Sequence, residues 1–315
     1  MENFSSFKRV VGKAPELEKQ KDFQKVEARF REQDFKELAD QEREKTSEEL
    51  QMIEWANQCT NEIRRKYGQA NFDVPSKNIH IIKKDSWPAT GAGDAKYISM
   101  LQTIAIQEQP AKIAFMKKVI HEMLHFKSYN AMQILDDENS QADEYRVGLT
   151  AHTRDGKKVF FRNLNEAVTE ELTRILLEQF IDSPLFAQEM KQTRWLAEKG
   201  RHARTAKGEK LFNSDTFYAE VEDAEDDGVR INTKEFTQIQ ERAILRKLIR
   251  KISERNGDKF ENEQRVFELF ASSMMTGNLI QLGRLIDRTF SIGTFRRIGE
   301  LDGQINKQEL YIDSL

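Results

Sequence analysis

Residues 111–132 read AKIAFMKKVIHEMLHFKSYNAM, a stretch with no interior Pro or Gly. Ile113, Met116, Ile120 and Leu124 recur at three- and four-residue spacing, so the pattern predicts an amphipathic helix from Ala111 to about Met132. At its centre lies His121-Glu122-Met123-Leu124-His125. With about 3.6 residues per turn, His121 and His125 share one face about 6 Å apart along the axis, so both imidazoles can reach one metal ion. Glu122 stands beside that ion without ligating it. From there a carboxylate can take a proton from a water whose pKa zinc lowers towards about 7, and later pass it to a leaving group. That is the chemistry of metal-assisted peptide hydrolysis.

A catalytic zinc takes three protein ligands and keeps a further position for water, so another donor is needed. Asn165-Glu166-Ala167-Val168-Thr169-Glu170 opens the next strongly periodic helix, with Glu166 and Glu170 four residues apart and able to face the first helix. Glu166 is suited to ligate the zinc. Glu170 is suited to accept the second ring N–H of a ligand imidazole, which fixes its tautomer and raises its basicity. The plainer alternative, two solvent-facing acidic residues in a first helical turn, draws on the same preference for negative charge near a helix N-terminus.

These two motifs, H-E-M-L-H at 121–125 and N-E-A-V-T-E at 165–170, make residues 75–182 resemble the gluzincin metallopeptidases, the thermolysin-like branch of HExxH enzymes. The resemblance implies one zinc per chain held by His121, His125 and Glu166, with Glu122 as general base and acid and Glu170 behind His121. It also implies an extended peptide or protein substrate pairing with the edge strand around Tyr97 to Gln107, with a helical C-terminal lobe as the other wall of the cleft. The interval between His125 and Glu166 is longer than in thermolysin and reads as holding a hairpin. The Gly-x-Met-Glu-Asn signature of the related aminopeptidases is absent upstream of the helix, which favours an endopeptidase. Tyr129, Tyr145, His152, His202 and Tyr218 are candidate donors to the oxyanion of the tetrahedral intermediate. Two other readings stay open: a regulatory HExxH protease of another clan whose third ligand lies elsewhere, and a non-catalytic helical interaction protein with a vestigial metal site.

Outward from these motifs, Ile79, Ile81 and Ile82 form one short strand, and Tyr97 to Gln107 alternates as a second; Trp87 to Gly93 reads as turn between them. Tyr145 to His152 and Lys157 to Phe161 flank Asp155-Gly156 as a hairpin. Asn163 or Asn165 is expected to cap the helix that runs to Phe180 and stops at Asp182-Ser183-Pro184. From Glu16 to Arg65 the chain is dense in charge, and Leu17, Phe23, Val26, Phe30, Phe35 and Leu38 recur at helical spacing. Two helices are expected there, the second opened by the Thr46/Glu49 capping box, running through Leu50, Ile53, Trp55 and Ile63 and ended by Gly68. Beyond Pro184 the pattern is helical throughout. Glu220 to Asp227 reads as a solvated acidic linker, and Arg242, Arg246, Lys247, Arg250 and Lys251 as a solvated basic face. Three segments result: a charged N-terminal helical arm (1–70), a zinc-peptidase core (71–182) and a helical C-terminal lobe (183–315).

Composition agrees with an α+β chain that is predominantly helical, with a small mixed sheet and two active-site helices. The 315 residues are 38% hydrophobic and 33% charged with 20 Phe, enough apolar material for a core. Only 15 Gly and 5 Pro disfavour a fold of many short strands. A net charge of −3 offers no global field for nucleic acid or an anionic membrane. The single Cys59 excludes a disulfide scaffold and fits a reducing compartment; with no apolar leader or long apolar run, the chain is expected to be cytoplasmic. Cys59 reads as an ordinary semi-buried thiol rather than an inhibitory zinc ligand.

Overall fold

A computed structural model describes residues 5–32, 40–87, 93–135, 141–200, 210–223 and 229–315. In chain order its elements are β1 (Phe7–Val11), α1 (Glu16–Glu32), β2 (Glu42–Arg43), α2 (Ser47–Lys66), β3 (Ile79–Ile82), β4 (Ala95–Ile98), β5 (Thr103–Gln107), α3 (Lys112–Lys127), β6 (Asn130–Ile134), β7 (Ala142–Val147), β8 (Thr150–His152), β9 (Val159–Phe160) and α4 (Arg162–Glu178). There follow α5 (Ala187–Lys199), β10 (Thr216–Asp223), β11 (Val229–Glu235), α6 (Ile239–Arg255), α7 (Glu263–Thr276), α8 (Leu279–Thr289), α9 (Thr294–Glu300) and α10 (Ile305–Ser314). The fold is α+β and mainly helical. One sheet has the order β1-β6-β7-β8-β9, a second β2-β3-β5-β4, and β10 and β11 form a hairpin of their own.

The all-buried Ile79–Ile82 run pairs in parallel with β5, and β4 closes the sheet antiparallel to β5 as its outer strand. Helix α3 packs between α2, α4 and this sheet and is buried along nearly its entire length. It is therefore a central helix rather than one with a solvated face, and its polar residues Lys117, His121, Glu122, His125 and Lys127 are buried with it. A single hydrophobic cluster continues from Phe30 through α3 and α4 to Ile312, crossing all three segments marked out by composition.

Several elements depart from the sequence expectation. Helix α3 stops at Lys127, because Ser128 and Asn130 take over its last carbonyls: Ser128 Oγ donates to His125 O (2.7 Å) and Asn130 Nδ2 to Phe126 O (3.0 Å). The chain then enters β6, which pairs with both β1 and β7. The Tyr97–Gln107 strand is broken by a turn at Ser99–Leu101, with Gln102 left-handed (φ 53°). The Gln102 side chain is tied to Ser6 and Ser99, long-range and local bonds that override alternation. Likewise Tyr145–His152 divides into β7 and β8 at Gly148 (φ 58°), while the Asp155-Gly156 turn between β8 and β9 is as expected. Neither Asn163 nor Asn165 caps α4; the N-cap is Phe161 in a left-handed conformation.

The N-terminal segment is not purely helical, since it supplies β1 and β2 to the two sheets. Val26 and Phe30 are buried as expected while Leu17 is exposed; Phe35 and Leu38 lie outside the described residues, as do 88–92 of the expected turn. The Thr46/Glu49 capping box is present at the start of α2. On that helix Ile53 is buried but Leu50 is exposed, with Met52, Ala56 and Cys59 facing the core. The largest correction lies beyond Pro184, where the chain is not entirely helical: residues 216–235 form the β10–β11 hairpin, so Glu220 belongs to a strand rather than a linker, and 224–227 lie outside the described residues. The β-favouring run Phe217, Tyr218, Ala219 and Val221 carried the signal; Phe217, Tyr218 and Ala219 are buried, and Val221 is exposed. The basic face is also corrected at Arg242, which is 1% exposed and paired with Glu171 and Asp215.

Candidate metal centre

Helices α3 and α4 pack side by side and bring two i, i+4 pairs face to face. His121 and His125 turn their Nε2 atoms towards one another (3.2 Å), and Glu166 Oε2 lies 3.4 Å from His121 Nε2 and 3.5 Å from His125 Nε2. Zinc bonded at about 2.0–2.1 Å with tetrahedral angles sets its donors about 3.3–3.4 Å apart, so this triangle has the size of one face of a zinc tetrahedron. Among the described residues it is the one cluster of three or more His, Cys, Asp or Glu able to hold a metal. Both histidines are buried, while 26% of the Glu166 side chain is exposed, which leaves an approach for water or substrate on that side.

Behind the triangle, Glu170 Oε2 accepts from His121 Nδ1 at 2.8 Å, so the Nε2 atom of that ring is the one turned to the cluster. Burial resists charge on Glu170, but bonds from His121 and Lys117 outweigh it and hold its carboxyl well below the usual range. Burial likewise opposes the imidazolium of His121, yet Glu166 and Glu170 raise it to about 9. The same anionic surroundings that favour a proton there favour a metal cation, which competes with that proton for the ring. With ligand rings counted as neutral, the carboxylates of Glu122, Glu166 and Glu170 against the single ammonium of Lys117 leave two negative charges for a divalent ion to balance. Two imidazole nitrogens and a carboxylate oxygen suit zinc.

Glu122 follows His121 in α3 and points to the outer strand β4, where its Oε2 accepts the backbone N–H of Tyr97 (2.7 Å). This contact places the carboxylate between the triangle and the sheet edge. Asn165, at the start of α4, sets its amide against His125 Nδ1 (3.3 Å) while its Oδ1 accepts the Leu149 N–H (2.8 Å). Gly148 is required here: its backbone is left-handed, and a β-carbon would collide with Asn165 Oδ1.

All five expected residues thus meet at one place: His121, His125 and Glu166 in the triangle, Glu170 behind it and Glu122 beside it. Of the oxyanion candidates, Tyr129 lies under the Arg146 guanidinium (4.9 Å), Tyr145 under that of Arg154 (4.5 Å), and the Tyr218 hydroxyl donates to Glu220 (2.8 Å). His202 lies outside the described residues. His152 differs from these: its Nε2 bonds Glu144 Oε1 (3.1 Å), and Glu144 is held low against the cost of burial by His152, by Ser99 and by the field of His125. Cys59 takes no part; burial pushes its thiol up to about 12. Sequence reasoning missed Asn165 as a contact of His125, Tyr97 as the backbone partner of Glu122, and Lys117 and Thr237 behind Glu170. Of these only Lys117 carried a signal, standing one turn before His121 on the same face. No family model, curated protein or solved structure matches the chain, and no helix among the described residues is long and apolar enough to cross a membrane.

Proposed function

We propose that this chain is a zinc-dependent metallopeptidase of gluzincin type acting on internal bonds of a peptide or protein substrate. The observation that carries the reading is the triangle of His121, His125 and Glu166, with the Glu122 carboxylate beside it on the same helix and Glu170 closed behind. Zinc, when bound by these residues, supplies Lewis acidity and lowers the pKa of water. Glu122 takes the proton of the attacking water and returns it to the leaving amine, and the Tyr97 N–H orients its carboxylate for both transfers. Glu170 holds the His121 ring in one tautomer and one orientation. The outer strand β4 is the natural site for an extended backbone to add as a further strand, beside Glu122. With a lone, buried cysteine the protein suits a reducing, cytoplasmic setting.

The test is zinc content and peptide hydrolysis in the parent, Glu166→Ala and Glu122→Gln. About one zinc per parent chain, marked loss in Glu166→Ala, and retained zinc with hydrolysis down roughly 100-fold or more in Glu122→Gln are expected. A parent that takes up no zinc when it is supplied overturns the reading, and undiminished hydrolysis in Glu122→Gln overturns the role of Glu122.

A further inference from the structure

Glu170 is 0% exposed and has four partners, of which His121 is only one. Lys117 Nζ lies 2.7 Å from its Oε1, and the same oxygen accepts the Thr237 backbone N–H (2.5 Å) and Thr237 Oγ1 (2.9 Å). Lys117 is itself 2% exposed, and its ammonium also donates to Thr237 Oγ1 (3.2 Å). An ammonium so deeply buried is costly unless it is paired and fully bonded, so this lysine is held in place by what it does for Glu170. Thr237 lies between the end of β11 and the start of α6, so the clamp joins three parts of the chain far apart in sequence.

We infer that Lys117 and Thr237 are positioning residues that set the zinc affinity of the site by clamping Glu170 against His121. This rests on the metal-site reading above. The clamp fills Oε1 with cationic and neutral donors, which leaves Oε2 for the His121 N–H and directs His121 Nε2 into the triangle. Removing the ammonium adds net negative charge near the ion, which alone would tighten it. The opposite effect wins, because Oε1 then loses the ammonium that pins it, the carboxylate is free to turn Oε2 away from the His121 N–H, and His121 loses the acceptor that fixes its ring.

The test compares zinc affinity, by competition with a chromophoric chelator, in the parent, Lys117→Met, Thr237→Val and the charge-free pair Lys117→Met/Glu170→Gln. The visible spectrum of the Co2+-substituted proteins reports ligand geometry, and thermal midpoints in excess chelator report folding without metal. Lys117→Met is expected to bind zinc tenfold or more weakly with altered Co2+ bands, and Thr237→Val about threefold more weakly with an unchanged midpoint in chelator. If Lys117→Met is too unstable to handle, Thr237→Val and the charge-free pair decide the matter, the pair being expected to fold and bind zinc at least tenfold more weakly. Affinities within twofold of the parent, or tighter binding in Lys117→Met, overturn the inference while leaving the metal site intact. A parent without zinc affinity overturns both.

Discussion

Glu170 and Glu171 are neighbours on α4, both buried carboxylates, and they belong to two opposite kinds of cluster. Glu171 faces α6 and is saturated by protein cations: its Oε1 accepts from Arg242 Nε (2.9 Å) and Arg246 Nη2 (2.6 Å), and its Oε2 from Arg174 Nε (3.1 Å). Arg242 continues to Asp215 (2.8 Å), so the cluster ties α4 to α6 and to the start of the β10–β11 hairpin. Glu170 faces α3 in a cluster where carboxylates outnumber the single ammonium and two imidazole nitrogens converge on a third carboxylate. The same residue type at adjacent positions thus ties helices together on one face, where guanidinium groups outnumber the carboxylates, and on the other belongs to the cluster proposed to hold zinc, where carboxylates are in excess. Burial alone does not distinguish the two; the remaining charge does.

The comparison breaks most visibly at Arg242. Arg242→Met should cost about 3–5 kcal/mol in denaturant unfolding, the effect of leaving buried carboxylates without their partner, yet leave zinc bound per folded chain unchanged. Loss of zinc in that variant would mean the two clusters act as one. On the opposite face, zinc at a hundredfold its Kd should stabilise the parent by about 2.7 kcal/mol, read as a rise in thermal midpoint, and Glu166→Gln should abolish that rise. A zinc-dependent rise that survives Glu166→Gln would remove Glu166 from the ligand set. Gly148→Ala should cost roughly 1–3 kcal/mol, from its left-handed backbone and from the collision of the added β-carbon with Asn165 Oδ1, read in denaturant unfolding; an unchanged stability would show that the turn adapts.

Acid sharpens the contrast by a smaller amount. Burial opposes charge on Glu171, but Arg242 and Arg246 hold its carboxyl below the usual range. Its folded pKa lies below its unfolded one, so the stabilisation is complete above about pH 4.5 and is lost as pH falls through the folded value. The unfolding free energy should fall by up to about 1.4 kcal/mol per pH unit in that window from this group, and Glu171→Gln should flatten the slope. An unchanged slope would show that Glu171 is not held by its arginines.

What could be read in advance follows periodicity. Thr46 with Glu49, His121 with His125, and Glu166 with Glu170 are each one helical turn apart; the first two pairs meet, and the third turns both carboxylates to His121, as the spacing requires. The Ile79–Ile82 strand and the Asp155-Gly156 turn were legible for the same reason, a local pattern with a local partner. The breaks at Gln102 and Gly148 were not, because each is held by residues distant in the chain: Ser6 for the first, Asn165 for the second. The hairpin at 216–235 was obscured by its acidic end, whose charge reads as linker although the strand continues from the buried Phe217–Ala219 through Glu220 to Asp223.

By itself, then, the sequence determined which side chains share a helical face, since about 3.6 residues per turn governs that without reference to the rest of the chain. It therefore specified two half-sites, one on α3 and one on α4, together with the chemistry of their donors. Only the tertiary structure decided that the halves meet within 3.5 Å, that Lys117 and Thr237 close behind Glu170, and that Arg242 seals Glu171 on the other face. The reason is that the docking of helices and the pairing of buried charges depend on side chains from segments far apart, whose contacts exist only once the common core has formed.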